Sequence, residues 1–417
     1  MSEVFAEIIS IGDEILYGQT LDTNSHWISG ELDKIGIRVK RKITIGDKEN
    51  EILEALADAE ARASLILITG GLGPTSDDLT KPCLVKYFNT RLILDTTALN
   101  DVTEFFARRG KELTELNHDQ ALVPEICTVI RNSNGTAPGM WFDKAGKVFV
   151  SMPGVPHEMK NMMLETVIPK IAERFKVPEL VHRIIKTSGI GESFLADVIK
   201  DWEASLPAHI KLAYLPSPGE VKLRLTALGD DRDLLYADLD KYVNLLQPLA
   251  GNYIFGYGND TLEQVIGKFL LDKNKKLAVA ESCSGGYLAH TITRVPGASG
   301  WFNGGVVAYS NQSKVDLLDV SLDLIEQEGA VSEAVVKGMA EHVRIKFNAD
   351  IGLAISGIAG PEGGTLEKPV GTVWIACAFD NHTFCKKMQL SIDRNINIKL
   401  SSIYVLNELR HHLIKMI

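Results

Sequence analysis

A serine and a lysine carry the first chemical suggestion in this chain. Ser282 stands in Leu277-Ala-Val-Ala-Glu281-Ser282-Cys283-Ser284-Gly285-Gly286-Tyr287-Leu288. The apolar start suits a buried strand. Small residues and two glycines follow, then a helical pattern at Tyr287, Leu288 and Ile292. Such a junction holds a side chain at the lip of a sheet, beside the free N–H groups of a helix N-terminus. A serine there could attack a carbonyl and face the developing negative charge. Ser282 or Ser284 could equally be helix caps. Lys314 closes Ser310-Asn311-Gln312-Ser313-Lys314, after Val306-Val-Ala-Tyr309, which reads as another buried strand. In the first turn of the next helix the dipole disfavours a cation. A lysine so placed can have a depressed pKa and act as a base; the alternative is a solvated surface lysine.

The elements around these residues form a regular series. Asp260-Thr-Leu-Glu263 is a capping-box pattern opening a helix to about Leu271. Ser332 to Phe347 is helical, and Ile351-Gly-Leu-Ala-Ile355 is a third buried strand. It ends in Ser356-Gly357-Ile-Ala-Gly360-Pro-Glu-Gly-Gly364, a loop whose N–H groups could hold a phosphate or merely connect two elements. Val370 to Ala376 and His382 to Ser391 suggest an antiparallel pair, and Asn395 to Lys415 a closing helix.

The first part of the chain alternates strand and helix, which argues for a parallel sheet covered by helices. Glu7 to Ile11 is a strand ending at Gly12-Asp13-Glu14, and Asp22-Thr-Asn24 opens a helix. Arg38 to Ile45 and Leu65 to Ile68 are strands, separated by a helix from Glu49 to Ala63. The last strand leads into Thr69-Gly70-Gly71-Leu72-Gly73-Pro74-Thr75-Ser76-Asp77-Asp78. In such sheets ligands sit beyond the C-terminal strand ends. The glycines could admit a phosphate, and nearby carboxylates make sense if a hard cation bridges them to it. Asp13, Asp77 and Asp78 could also be caps. The loop is neither a Walker A sequence nor a Gly-x-Gly-x-x-Gly fingerprint. His157, in a Pro-Gly-Val-Pro turn, is expected to pack rather than to react. Between residues 171 and 255 the pattern is that of a small α+β module without a chemical constellation, suited to spacing and dimer packing.

The chain has 417 residues, 44 Lys+Arg and 54 Asp+Glu, and a net charge of −10. No basic stripe suggests nucleic-acid or anionic-lipid binding. The five cysteines lack metal-ligand spacing, and their odd number without a signal-like segment fits reduced thiols in a cytoplasm. No apolar run is long enough to span a bilayer.

Ala280-Glu-Ser-Cys-Ser-Gly-Gly286, Tyr309-Ser-Asn-Gln-Ser-Lys314 and Ser356-Gly-Ile-Ala-Gly-Pro361 resemble the signature of the CinA C-terminal domain, although the family usually has threonine at position 284. The Gly70 to Asp78 stretch, with Asn134-Gly-Thr-Ala-Pro-Gly139 and Met152-Pro-Gly-Val-Pro-His-Glu158, resembles the CinA form of the molybdopterin-binding fold. The resemblance implies an α/β chain in three parts. A three-layer α/β/α domain would occupy residues 1–170, the α+β module 171–255, and an α/β deamidase domain 256–417. It further implies hydrolysis of nicotinamide mononucleotide to nicotinate mononucleotide and ammonia. Ser282 would be the nucleophile, Lys314 the base and Tyr309 a proton relay. Glu281, Cys283, Ser284, Gly285, Gly286, Asn311, Ser356, Gly357 and Gly360 would contact substrate, with N–H groups of Cys283 to Gly286 as the oxyanion hole. For the N-terminal domain it implies cleavage of ADP-ribose to AMP and ribose 5-phosphate. Asp13, Glu14, Asp77 and Asp78 would hold a divalent ion (magnesium, manganese or cobalt, with potassium as a further candidate). Gly70, Gly71, Gly73 and Asn24 would contact that substrate, while the deamidase would need no cofactor. A cytoplasmic homodimer acting on small nucleotides is expected. The rival reading is a nucleotide-sensing or partner-binding protein, related to DNA uptake, with a vestigial amidase.

Overall fold

Strand-forming runs alternate with amphipathic helices from the start of the chain, and a computed structural model, describing residues 4–175 and 177–415, folds them into three main sheets. Two compact units emerge, Met1–Val181 with Leu228–Leu235, and His182–Ala227 with Tyr236–Ile417.

In the first unit β1 (Phe5–Ile11), β2 (Arg38–Ile45) and β3 (Leu65–Thr69) are followed by a two-stranded ribbon of β4 (Leu92–Leu94) and β5 (Leu122–Pro124). β6 (Thr128–Ile130), β7 (Gly139–Lys144) and β8 (Lys147–Met152) then complete a six-stranded sheet in the order β2-β1-β3-β8-β7-β6. The β1, β2, β3 and β8 pairings are parallel. Side chains alternate across a strand. Ile8 and Leu67 therefore join one core cluster with Ile28 and Met159, while Ile9 and Ile68 join another with Ile52 and Leu56. Both faces are covered, giving three layers. Asp22 accepts the Ser25 N–H and so caps helix Thr23–Lys34.

The next sheet, whose residues fall mostly in the second unit, holds β9 (Glu179–Ser188), β10 (Ile210–Ser217), β11 (Glu220–Gly229) and β12 (Ile254–Tyr257) in the order β10-β11-β9-β12. The third sheet holds β13 (Leu277–Glu281), β14 (Phe302–Val307), β15 (Ile351–Gly357), β16 (Thr372–Ala378) and β17 (Thr383–Gln389), in the order β14-β13-β15-β16-β17. β13 runs parallel to both β14 and β15, whereas β16 and β17 are antiparallel. Three loops therefore leave the same edge, after β13, β14 and β15. Helix Arg394–Ile414 packs on this sheet, and its buried Arg410 donates to the carbonyls of Asn252 and Ile254.

Two local expectations change. The helix Leu262–Asp272 is capped one residue later than the sequence suggests, by a Thr261–Gln264 box. Of the stretch read as a buried strand at 306–309, only Val306 and Val307 belong to β14, an edge strand whose residues alternate between half-buried and exposed; buried Ala308 and exposed Tyr309 follow it.

Candidate functional site

The turn after β13 is built around a buried carboxylate. Glu281 is 0% exposed, and its side chain accepts the N–H groups of Gly286 (3.0 Å), Leu288 (3.0 Å) and Ala289 (2.8 Å). An acid at a helix N-terminus satisfies donors that the helix itself cannot. Neither serine caps helix Tyr287–Thr293; Gly286 is its N-cap, at a φ of 98° that favours glycine. The expected substrate contact by Glu281 is thus corrected, since no part of it reaches solvent. The turn's own carbonyls and this carboxylate also narrow the oxyanion donors. Gly285 N–H goes to Ser282 O and Gly286 N–H to Glu281, leaving those of Cys283 and Ser284 with no carbonyl partner among the described residues.

Ser282 emerges from this turn, 8% exposed, with its N–H fixed to Ile355 O. Lys314 lies in helix Asn311–Leu318, capped by Ser310, and is 1% exposed. Its Nζ sits 3.0 Å from Ser282 Oγ and 2.9 Å from Ala308 O. No carboxylate pairs with it among the described residues. Burial holds its pKa below the usual lysine value. A neutral amine can donate one N–H to Ala308 O and turn its lone pair to the Ser282 hydroxyl. Cys283 is a poor rival nucleophile, because burial pushes its thiol up to about 12. Ser284 is buried too, and its Oγ has no hydrogen-bond partner among the described residues.

Tyr309 stands at the rim, 58% exposed, and its hydroxyl accepts from Arg394 Nη2 at 2.7 Å rather than facing Lys314. Arg394 Nη1 also donates to Gly360 O at 2.7 Å. The sequence reading passed over Arg394, though it begins helix Arg394–Ile414 and has the same awkward relation to the dipole that singled out Lys314. Asn311 is exposed in the first turn of its helix.

The start of the glycine loop, Ser356, Gly357 and Gly360, is closely packed, while residues 361–367 are exposed. Ser356 is 1% exposed and donates to Ala330 O at 2.7 Å, which corrects its reading as a substrate contact. A Cβ on Gly357 would meet Val373 Cγ2 at 2.7 Å and Thr372 O at 2.8 Å; one on Gly360 would meet Val370 Cγ1 at 2.5 Å. Gly357→Val is therefore expected to destabilise the second unit by about 1–3 kcal/mol. Urea unfolding of the variant should show the loss, and any loss of activity should be equal for phosphorylated and unphosphorylated substrates.

In the first unit a cleft of about 450 Å³ opens beyond β1, β3 and β8. Glu14, Asp22, Asp47, Asp77, Asp78 and Glu158 line it, with no lysine or arginine. Among the described residues no three His, Cys, Asp or Glu side chains converge as a metal cage, so Asp13, Glu14, Asp77 and Asp78 are not one ligand set. Asp78 accepts from Gly73 N, Thr75 N and Thr75 Oγ1, and so occupies the nest expected for phosphate at Gly73. Gly70 N–H is spent on Met152 O; only Gly71, of the three glycines, has an N–H without a partner among the described residues. Asp77 also lines the cleft and is exposed. Asp47, missed by the sequence reading, accepts Asp13 N–H at 3.1 Å. Burial raises its pKa, and the neighbouring carboxylates of Asp13, Glu14 and Asp78 add to the effect. Asn24 donates to Thr69 Oγ1 and Gly154 O, while its Oδ1 is buried without a partner among the described residues. His157 is exposed.

Three family models match the chain. They are described as CinA C-terminal domain (residues 259–413), probable molybdopterin binding domain (7–173) and damage-inducible protein CinA KH domain (182–256). A CinA-like protein of Cytophaga hutchinsonii is 51% identical over 412 residues, covering 99% of both chains. One from Flavobacterium psychrophilum is 44% identical over 407 residues, covering 96% of this chain and 97% of its own. A crystal structure of CinA from Thermoplasma acidophilum is 33% identical, covers 40% of this chain and 98% of that one, and has a TM-score of 0.37. No helix among the described residues is long and apolar enough to cross a membrane. With a molybdopterin-binding-like first domain, a KH-like middle module and the Ser282–Lys314 domain at its end, the chain belongs to the CinA family.

Proposed function

We propose that the C-terminal domain hydrolyses the carboxamide of nicotinamide mononucleotide to nicotinate mononucleotide and ammonia. The observation that carries this reading is Lys314 Nζ, buried and without a counter-ion among the described residues, 3.0 Å from Ser282 Oγ. Neutral Lys314 takes the hydroxyl proton as Oγ attacks the amide carbon. The oxyanion is received by the N–H groups of Cys283 and Ser284. Collapse of the intermediate breaks the C–N bond, and Lys314 returns its proton to the departing ammonia. Water then attacks the Ser282 ester with Lys314 again as base. Arg394, a cation at the rim, is a candidate phosphate contact beside the exposed part of the glycine loop. The test is ammonia release from nicotinamide mononucleotide by the purified protein, with nicotinate mononucleotide as co-product. Absence of both products would remove the reading.

For the first unit we infer metal-dependent hydrolysis of ADP-ribose to AMP and ribose 5-phosphate, supported by the acidic cleft without a cationic side chain. A diphosphate cannot approach such a wall unless its charge is offset. The separated carboxylates suit a magnesium-like ion, which keeps its waters and uses one or two protein carboxylates with substrate phosphate. Asp47 and Glu14, which both line the cleft, would hold it. When bound, such an ion would neutralise the diphosphate and make phosphorus more electrophilic. A chelator should abolish ADP-ribose cleavage and leave ammonia release unchanged, and coupled assays of both products on one sample check this. Equal loss of both activities would contradict the assignment.

A further inference from the structure

The cleft of the first unit contains one carboxylate unlike the rest. Asp22 caps a helix and accepts the Ser10 hydroxyl; Asp78 is held by its own loop; Asp47 lies against other acids. Glu158 comes from a separate segment, helix Pro156–Met162 on the β8 side. It has no ion pair among the described residues. Its Oε2 accepts from Asn132 Nδ2 at 2.6 Å, and Asn132 is itself 5% exposed and fixed by a second bond to Ala137 O. The carboxyl lies directly on the Asn134-Gly135-Thr136 backbone: a Cβ on Gly135 would be 2.0 Å from Oε2. The side chain is thus locked in place, half-buried, with its face toward the cleft.

We propose that Glu158 is the general base of phosphoanhydride hydrolysis in this cleft, an inference that rests on the reading of the first unit as an ADP-ribose hydrolase. The leaving group is a phosphate monoester, which departs as a stable anion, so the need for a base is at the attacking water. The water oxygen forms the new O–P bond, its proton passes to Glu158, and the bridging P–O bond breaks with its electron pair on the departing phosphate. The proton is then lost to solvent. A carboxylate suits this when its environment makes it more basic than usual. Burial does so at Glu158, against the opposing hydrogen bond from Asn132 and the weaker pull of His157 on the same helix and of Arg109, which follows helix Thr96–Ala107. The other cleft acids are already engaged as caps, loop anchors or neighbours of one another.

The experiment compares wild type, Glu158→Gln and Glu158→Asp as full-length proteins loaded with a divalent ion. Glu158→Gln should lose roughly 10²–10⁴ in kcat for ADP-ribose and the acid limb of its pH profile. Its calorimetric affinity for ADP-ribose should stay within a few-fold, and its ammonia release should be unchanged. Glu158→Asp should keep the acid limb at reduced kcat. A readout independent of turnover is stability against pH. A carboxyl raised in the folded state loses its stabilising contribution as pH rises through its folded pKa. Glu158→Gln should therefore be more resistant to urea than wild type at neutral pH, with the gap closing as pH falls. If wild type cleaves ADP-ribose and Glu158→Gln keeps its kcat and acid limb, the base assignment is overturned. Loss of ADP-ribose affinity along with turnover would also overturn it, in favour of a binding role. Wild type that does not cleave ADP-ribose at all would overturn the underlying reading and the inference with it.

Discussion

Ser282→Ala and Lys314→Met should each lower kcat for nicotinamide mononucleotide by on the order of 10⁴–10⁶, and the double variant should be little worse than either. The non-additivity follows from the geometry: at 3.0 Å the two groups share one proton, and either is idle without the other. Steady-state ammonia release checks the singles and the double together. The pH profile carries a sign as well. Lys314 works as a base only when neutral, so kcat/KM should rise with pH through its lowered pKa and level off at a lower pH than an ordinary lysine would give. The same burial costs stability. The unfolded chain holds the Lys314 proton more tightly than the folded one, so wild-type stability rises with pH between the lowered value and 10.5. Lys314→Met should thus be the more stable protein at neutral pH, with the advantage shrinking as pH rises. A dead enzyme that melts later would separate a catalytic lysine from a structural one.

Glu281→Ala should be the most disruptive single change in the second unit. It strands the N–H groups of Gly286, Leu288 and Ala289 beside a completely buried cavity. Leaving a buried donor without its acceptor costs about 1–3 kcal/mol per group. Helix Tyr287–Thr293 should fray at its start, and the turn that aims Ser282 should loosen with it. Hydrogen exchange of the full-length protein should show loss of protection at residues 286–289, accompanied by loss of deamidation. ADP-ribose cleavage should persist. Protection unchanged at those amides would mean that the turn is held by packing rather than by the carboxylate.

The apolar runs of β1, β3, β13 and β15 were legible because a strand buried on both faces needs no alternation. So was the Ser282–Lys314 pairing, since both residues follow neighbouring parallel strands, β13 and β14, whose C-terminal ends lie side by side. Glu281 was misread for a physical reason. Sequence shows that an acid ends the strand, but not that its side chain turns back to a helix start five to eight residues ahead. β14 was misread as buried because Val306 and Val307 are apolar; only sheet order reveals an edge. Arg394, 85 residues from Tyr309, and Asp47, 34 from Asp13, meet their partners only through the fold. Glu158 was overshadowed by the adjacent His157, which is more conspicuous chemically yet faces solvent.

Acid-quenching the enzyme during turnover of nicotinamide mononucleotide and mapping the protein by mass spectrometry decides whether Ser282 forms an acyl-enzyme with Lys314 as base. The account predicts a nicotinate mononucleotide ester on the peptide containing Ser282, absent in Ser282→Ala and accumulating when Lys314→Met slows its hydrolysis more than its formation. An adduct on Cys283, or continued ammonia release by Ser282→Ala without any adduct, would contradict it.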